Sequence, residues 1–295
     1  MKDTIYSSRS RMKAEFKKVL QKDFSEVSIE DVERAMLEAL GPLPHINWPM
    51  DNSWAVIRAR FVNETKEDIT NPSTFGAPPP QFTSLGRANL LNHPVFYGSF
   101  DSRTAMQEIK VDIDTECYVS LWEFKNDTPH VTTFLSSVDE KNDLSELQKK
   151  IPKRVPKGLK GGYTTSSLSL SLELRANAFT KSNYEFTSKI AHGIIYHRNA
   201  KSQGLIYPSV IDPYRCNIAL HPDYVTNNME CVKVYKMVWS GAFIFRVLAR
   251  GTLKDDKIVW EETGTYEMDE LDYKYSGSNG PDEIHPKALE VLNQK

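Results

Sequence analysis

The chain has 295 residues, of which 40% are hydrophobic and 26% are charged, so its composition is typical of a globular protein and excludes a fibre or a disordered tail. Its formal net charge of -2 offers no basic excess for general binding to nucleic acid. No apolar stretch resembles an export signal or a membrane span. Cys117, Cys216 and Cys231 form no CxxC pair. We therefore expect a cytoplasmic protein with no direct contact to nucleic acid or membrane.

The first part of the chain, residues 1–50, is predicted to form an N-terminal helical preface. Residues 10–22 are rich in lysine and show weak helical patterning. Ser28 is placed to cap a second helix, because apolar residues follow it at helical spacing. These residues are Ile29, Val32, Met36 and Leu40. We expect one main domain over residues 51–240, with a hairpin and tail over residues 241–295 packed on the same domain.

The preface is followed by a predicted strand over residues 54–62, which are rich in strand formers and carry charged residues at alternate positions. Because side chains alternate along a strand, Arg58 and Arg60 are predicted to share one face. Residues 71–85 contain the triplet Pro78-Pro79-Pro80, which fits neither a ladder nor a helix. This stretch is therefore predicted to be a surface loop.

The middle of the chain is predicted to contain short strands and helices. Residues 94–97 fit a buried strand. Asp101 or Ser102 can cap a helix that runs through Ile109, and Glu108 then lies two turns into that helix. Further strands are predicted at residues 116–124, 205–207, 217–220 and 231–239, and a polar connector at residues 136–162.

The leucine-rich segment over residues 168–179 fits two structures. Leucines at every second position favour a strand by period alone. Leu168, Leu172, Arg175 and Phe179 also fit one face of a helix, and we favour the helix. Asn183 is predicted to cap the helix that follows.

The C-terminal part is predicted to contain a hairpin from residue 243 to residue 260. Its turn is placed at the polar run Lys254-Asp255-Asp256-Lys257, between two apolar stretches. The last 20 residues are predicted to be loosely attached.

Several common kinds of chemistry lack their motifs in this sequence. The seven histidines form no HxxxH pair, so no metal site is expected. Ser209 lacks the glycine-flanked elbow of a hydrolase nucleophile. Gly158, Gly161 and Gly162 form neither a P-loop nor a GxGxxG turn. We therefore expect no metal and no bound cofactor of these classes.

Two ordered motifs resemble a known family. Residues 86–108, GRANLLNHPVFYGSFDSRTAMQE, combine GR-x-N, an apolar-Tyr pair and Ala-x-x-Glu. Further along, GLIYPSV at residues 204–210 precedes NIAL at residues 217–220. Together with Arg58, this ordered set resembles the RES domain family over roughly residues 53–222, whereas each piece alone is a weak match.

The resemblance implies an α+β fold related to ADP-ribosyltransferases, with a core of short mixed strands flanked by helices. It implies an enzyme that cleaves NAD at the nicotinamide ribose by hydrolysis or phosphorolysis, as a growth-inhibiting bacterial toxin with a separate antitoxin protein as partner. NAD is then the substrate, inorganic phosphate a candidate second substrate, and no further cofactor is expected. The positions that match the family's functional residues are Arg58, Arg87, Tyr97, Glu108 and Ser209, with Arg60 as a second candidate for the first arginine.

These residue types suit a dinucleotide substrate. The planar arginine side chain donates two parallel hydrogen bonds to phosphate oxygens, and so Arg58, Arg60 and Arg87 are expected to bind NAD. A carboxylate at Glu108 would stabilise the oxocarbenium charge that develops on the ribose. Tyr97 offers an aromatic face and a hydroxyl, and Ser209 can hydrogen-bond a ribose hydroxyl or orient Glu108. We expect all of them to line one cleft.

Each candidate also has a purely structural interpretation. Arg58 and Arg60 can be solvated residues, Arg87 can cap the C-terminus of a helix, and Ser209 can be a turn residue. Tyr97 can belong to the core, and Glu108 can pair with Arg103 or Lys110 at the surface.

The sequence leaves alternative functions open. The same site could transfer ADP-ribose to a macromolecule. A non-catalytic interaction protein could use the apolar C-terminal hairpin to bind a partner. The sequence does not decide whether the chain forms a homo-oligomer.

Overall fold

The computed structural model describes residues 8–41, 47–50, 54–125, 128–133, 165–180, 183–196, 202–212, 215–240 and 244–269. Helices and strands are mixed along these residues, and so the predicted α+β class is confirmed. The connector predicted at residues 136–162 and the C-terminal tail lie outside the described residues. No helix in the described ranges combines the length and the apolar character that a membrane crossing requires.

The elements follow one another in this order. The described helices are α1 (Arg9–Leu20), α2 (Ile29–Leu40), α3 (Ser102–Glu108), α4 (Thr165–Thr180), α5 (Tyr184–Ile195) and α6 (Pro222–Asn228). The described strands are β1 (Asn47–Met50), β2 (Ala55–Phe61), β3 (Phe96–Ser99), β4 (Glu116–Phe124), β5 (Thr128–Thr133), β6 (Gly204–Pro208), β7 (Cys216–Leu220), β8 (Met229–Trp239), β9 (Ile244–Lys254) and β10 (Lys257–Asp269). Two short 3-10 turns, Pro72–Phe75 and Pro80–Phe82, lie in the predicted loop.

The chain divides into two compact units. The first comprises Met1–Trp48, Pro79–Pro94 and His130–Tyr214, and the second comprises Pro49–Pro78, Val95–Pro129 and Arg215–Lys295. Each unit is therefore built from three separate stretches of sequence. The domain boundaries predicted at residues 50 and 240 stay predictions.

The first unit contains four of the described helices and a parallel pair of strands. Ser28 caps α2 as predicted, because its Oγ accepts a hydrogen bond from the Asp31 amide at 3.1 Å. Strands β5 and β6 pair in parallel, with Thr132 opposite Leu205 and Thr133 opposite Ile206.

The leucine-rich segment forms helix α4, as we favoured. It buries polar as well as apolar residues, which explains why its period was ambiguous. The Ser171 hydroxyl donates to the Leu40 carbonyl at 3.1 Å, and Arg175 Nη2 donates to the Gly41 carbonyl at 2.8 Å. These polar residues satisfy carbonyls at the C-terminal end of α2, where a helix lacks internal partners. These buried polar residues therefore obscure the helical period of α4 in the sequence.

The second unit contains an antiparallel sheet in the order β7-β3-β2-β4-β8-β9-β10. Helix α3 contributes Ala105 and Met106 to a buried cluster with Ile57, Val119 and Tyr235 of the sheet. Because strand side chains alternate, this packing directs Arg58 and Arg60 to the opposite face.

The predicted C-terminal hairpin is confirmed as β9 and β10. Asp255 and Asp256 form its turn with φ of 47° and 61°. Two successive residues with positive φ are typical of the tight turn whose twist matches a two-stranded antiparallel ribbon.

Candidate functional site

Arg58 reaches from β2 to β3 in the second unit. The two described strands pair at a single position, Ile57 opposite Ser99. Beyond that position, Arg58 Nη1 donates a hydrogen bond of 2.8 Å to the Tyr97 carbonyl. The guanidinium lies 5.6 Å from the centre of the Phe96 ring. Arg58 therefore joins β2 to β3 through its side chain, beyond the one position at which the strands pair.

The guanidinium of Arg58 keeps donor capacity. Its Nε is buried and has no hydrogen-bond partner among the described residues. Burial, followed by the positive charge of Arg60, lowers the pKa of Arg58 to about 10. The side chain is still protonated at neutral pH. It can therefore offer a cation and a directional N–H to an anionic ligand.

Arg60, the second candidate on this face, binds the loop that follows β2. Its Nη1 donates to the Thr74 carbonyl, and its Nη2 lies 3.6 Å from Glu67 Oε1. Its side chain is 18% exposed. Arg60 therefore ties β2 to the Pro72–Phe75 turn, whereas Arg58 contacts the backbone of β3.

Glu108 lies in the predicted helix and is the last residue of α3. The buried Asp101 caps this helix by accepting from the Thr104 amide and the Thr104 hydroxyl, each at 2.8 Å. Glu108 Oε1 accepts a hydrogen bond of 2.6 Å from Asn217 Nδ2. The carboxylate is thus held by a side chain of β7.

Asn217 is itself held in place by Ser99. The two residues stand opposite each other in the β3–β7 ladder, and the Ser99 hydroxyl donates to Asn217 Oδ1 at 2.6 Å. Their exposed fractions are 2% and 5%. A chain of hydrogen bonds therefore runs from the buried Ser99 hydroxyl through the Asn217 amide to the Glu108 carboxylate.

Asn217 and Ser99 were not among the predicted site residues. Asn217 is the first residue of NIAL, which entered the motif match without a role of its own. Ser99 lies two residues after Tyr97 in the other motif. The position of both residues within the matched motifs could have identified them, but their contact depends on strand pairing across 118 positions.

Arg87 lies in the first unit and takes the structural role that was its alternative interpretation. Its Nη1 donates to the Phe179 carbonyl in the last turn of α4, and so it caps this helix. The guanidinium also lies 5.1 Å from the centre of the Tyr184 ring. These contacts fix the direction of the arginine and leave its role toward a ligand a prediction.

Ser209 also lies in the first unit and forms a turn directly after β6. Its Oγ accepts hydrogen bonds of 3.2 Å from the amides of Ile211 and Asp212. The residue is fully buried, with 0% exposed. Ser209 is therefore a turn residue, as its structural interpretation predicted. Its role toward substrate stays a prediction.

The second unit thus brings Arg58 together with Tyr97, and Glu108 together with Asn217. Arg87 and Ser209 belong to the first unit, and the prediction that all candidates line one cleft stays a prediction. Among the described residues, no three His, Cys, Asp or Glu side chains are grouped so that they could hold a metal ion.

A family model described as RES domain matches residues 54–240, which is more than half of the 295 residues. The match begins just before β2 and ends just after β8, so it contains every predicted site residue as well as Ser99 and Asn217. It leaves α1, α2 and the C-terminal hairpin outside. No curated protein matches the chain. The chain belongs to the RES domain family.

Proposed function

We propose that this protein cleaves the bond between nicotinamide and ribose in NAD, with water or inorganic phosphate as the acceptor. We further propose that this reaction makes it a growth-inhibiting toxin. Membership of the RES domain family supports an NAD-related enzymatic or toxin–antitoxin role.

The observation that carries the proposal is the hydrogen bond from Asn217 to Glu108. Breaking the glycosidic bond places positive charge on the ribose, and a carboxylate stabilises that charge best when it needs no reorganisation. A buried amide that is itself held by Ser99 fixes one carboxylate oxygen in advance. Glu108 then acts as the electrostatic catalyst, and Asn217 and Ser99 act as positioning residues.

The arginines are proposed to bind the anionic pyrophosphate of NAD. NAD carries a pyrophosphate, and Arg58 has a buried Nε with no partner among the described residues. Arg58 therefore supports phosphate binding better than Arg60, whose donors contact Thr74 and Glu67. Arg87 matches a functional arginine of the family through its motif, and its helix-capping contact holds the side chain in one direction.

Tyr97 and Ser209 complete the proposed set. Tyr97 is half-buried in β3, and its carbonyl receives the Arg58 hydrogen bond, so the ring and the arginine are positioned by the same backbone segment. Its aromatic face suits the nicotinamide or the ribose. Ser209 lies in the turn after β6, where its Oγ accepts from the amides of Ile211 and Asp212, and a hydroxyl suits a hydrogen bond to the ribose.

Product identification tests the proposed reaction. The purified chain is incubated with NAD, with and without inorganic phosphate, and products are separated by chromatography. Free nicotinamide with ADP-ribose supports hydrolysis, and free nicotinamide with a phosphorylated ADP-ribose supports phosphorolysis. ADP-ribose attached to protein or nucleic acid would replace the proposal with macromolecular transfer. Intact NAD would contradict it.

A toxin of this kind requires control, and we propose a separate antitoxin protein as the partner. The family's toxin–antitoxin association supports this partner. Co-expression with the product of a neighbouring gene should restore growth if that product is the antitoxin, and purification of the pair as one complex would identify it.

A further inference from the structure

The C-terminal hairpin lies outside the matched family region, yet it holds the loop that binds Arg60. We call residues 67–76 the arginine loop, because Glu67 and Thr74 both contact Arg60. Trp260 Nε1 donates to the Ile69 carbonyl at 3.0 Å. The Ile258 amide donates to the Thr70 carbonyl at 2.8 Å. One strand of the hairpin therefore fixes two adjacent residues of the arginine loop.

The ring of Trp260 also contacts the sheet beside Arg60. Its centre lies 5.7 Å from that of Tyr118, and Tyr118 stands opposite Arg60 in the β2–β4 ladder. It lies 6.4 Å from the ring of Phe75, the last residue of the arginine-loop turn. The indole thus packs against both the loop and the strand residue that faces Arg60.

Gly251 provides the space for this indole. It stands opposite Trp260 in the β9–β10 ladder. A Cβ at this position would lie 2.4 Å from Ile258 Cγ2 and 3.2 Å from the Trp260 ring. An alanine at position 251 must therefore displace the two side chains whose residues hold the loop.

Hydrogen bonds within the arginine loop couple the movement of its residues. The Thr74 hydroxyl donates to the Asp68 carbonyl at 2.6 Å, and the Thr74 amide donates to the Asn71 carbonyl at 3.1 Å. Asn71 Oδ1 accepts from the Ser73 amide at 3.0 Å. Movement of Ile69 and Thr70 would therefore carry Thr74, and with it Arg60.

We propose that Trp260 is a positioning residue that holds the arginine loop and thereby keeps Arg60 on protein oxygens, leaving Arg58 as the β2 arginine that binds ligand. Its consequence for NAD rests on the proposed function. When the loop is loose, only the molecules with an ordered loop keep Arg60 on its protein oxygens, and the apparent affinity for NAD falls in proportion to the fraction of molecules in that state. Glu108 is not part of the loop, so the chemical step should be unaffected.

Hydrogen exchange measured without NAD tests whether Trp260 holds the arginine loop. In Trp260→Leu, the amides of Asn71, Thr74 and Gly76 should exchange about tenfold faster than in the wild type, as local opening becomes easier. Trp260→Phe keeps ring packing but loses the indole N–H, and should give a smaller increase. Gly251→Ala should also speed the exchange of these amides, and it replaces Trp260→Leu as the test if that variant does not fold. Val259→Ala, a neighbouring exposed position on β10, is the matched control and should match the wild type. Unchanged exchange in the Trp260 and Gly251 variants would overturn the proposal.

Steady-state kinetics test the consequence for the site. Trp260→Leu should raise KM for NAD about three- to tenfold, which corresponds to the loss of one hydrogen bond and its packing, and should leave kcat within about twofold. Trp260→Phe should recover part of the KM change. An equal loss of kcat with unchanged KM would overturn the positioning role. If the wild-type protein showed no NAD turnover, the proposed function would be refuted. Hydrogen exchange would then by itself test whether Trp260 holds the arginine loop.

Discussion

The side-chain amide of Asn217 donates a hydrogen bond of 2.6 Å to Glu108, although the two residues lie 109 positions apart. Asn217 belongs to a buried strand and Glu108 to the end of a short helix. Their contact converts a lone helical glutamate, which by itself resembles a surface charge, into a carboxylate with a fixed orientation. That orientation is what an electrostatic catalyst needs.

Glu108→Gln is the direct test of the catalytic carboxylate. The substitution keeps shape and most hydrogen bonding but removes the charge that stabilises an oxocarbenium-like transition state. We expect kcat for NAD to fall by about 10² to 10³, or roughly 3 to 4 kcal/mol, with little change in NAD affinity. Glu262→Gln, at an exposed position of β10, is the control and should keep wild-type rates. Wild-type turnover by Glu108→Gln would remove Glu108 from the mechanism.

Asn217→Leu tests whether the amide positions Glu108. The substitution removes the donor and leaves Glu108 without this hydrogen bond, so kcat should fall about tenfold or more while KM changes little. Ser99→Ala should have a smaller effect of the same kind, because Ser99 acts through Asn217. Combining both substitutions should cost less than the sum of the two, since they belong to one network. Additive losses, or a change confined to KM, would contradict the positioning role.

Arg87→Lys separates ligand binding from helix capping. A lysine retains the charge but cannot reproduce the two-pronged contact of a guanidinium with a pyrophosphate. We expect NAD affinity, measured by calorimetry with Glu108→Gln as the common background so that NAD is not consumed, to fall at least tenfold, while the loss of the contact to Phe179 costs about 1 kcal/mol of stability in urea unfolding. Equal NAD affinity with reduced stability would show that Arg87 serves only as the cap of α4.

Expression in bacteria tests the toxin proposal. Induction of the wild-type chain should lower cellular NAD and arrest growth, whereas Glu108→Gln at matched protein level should do neither. The comparison with the variant separates NAD loss from a general burden of expression. Growth arrest by both proteins with undiminished NAD would favour the non-catalytic interaction hypothesis.

The buried thiols predict a dependence of stability on alkaline pH. Burial raises the pKa of Cys117 from 9.0 to about 12 in the folded chain, and it also raises the pKa of Cys231. A group with a raised folded pKa stabilises the fold below its unfolded pKa, and this contribution is lost as pH rises toward the folded value. Urea unfolding should therefore show falling stability from about pH 9 upward, and Cys117→Ala should flatten this slope. Rapid thiol labelling of native protein at pH 8 would contradict the burial.

The sequence alone determined features that depend on neighbouring residues. The Ser28 cap and the apolar period after it specified α2, and the polar run at residues 254–257 specified the turn of the C-terminal hairpin. The ordered motifs around Glu108 and Ser209 were enough to identify the RES domain family. These features share a cause, since capping, turn chemistry and short motifs act within a few residues of the chain.

Tertiary structure decided what each candidate contacts. Pairing of β3 with β7 brings Asn217 to Glu108, and the arginine loop distinguishes Arg60 from Arg58, although both arginines occupy one strand face. Packing against the end of α2 resolved the leucine-rich segment as a helix, because its buried polar residues bond to carbonyls far along the chain. Such contacts join residues 14 to 134 positions apart, and no local pattern encodes a partner at that distance.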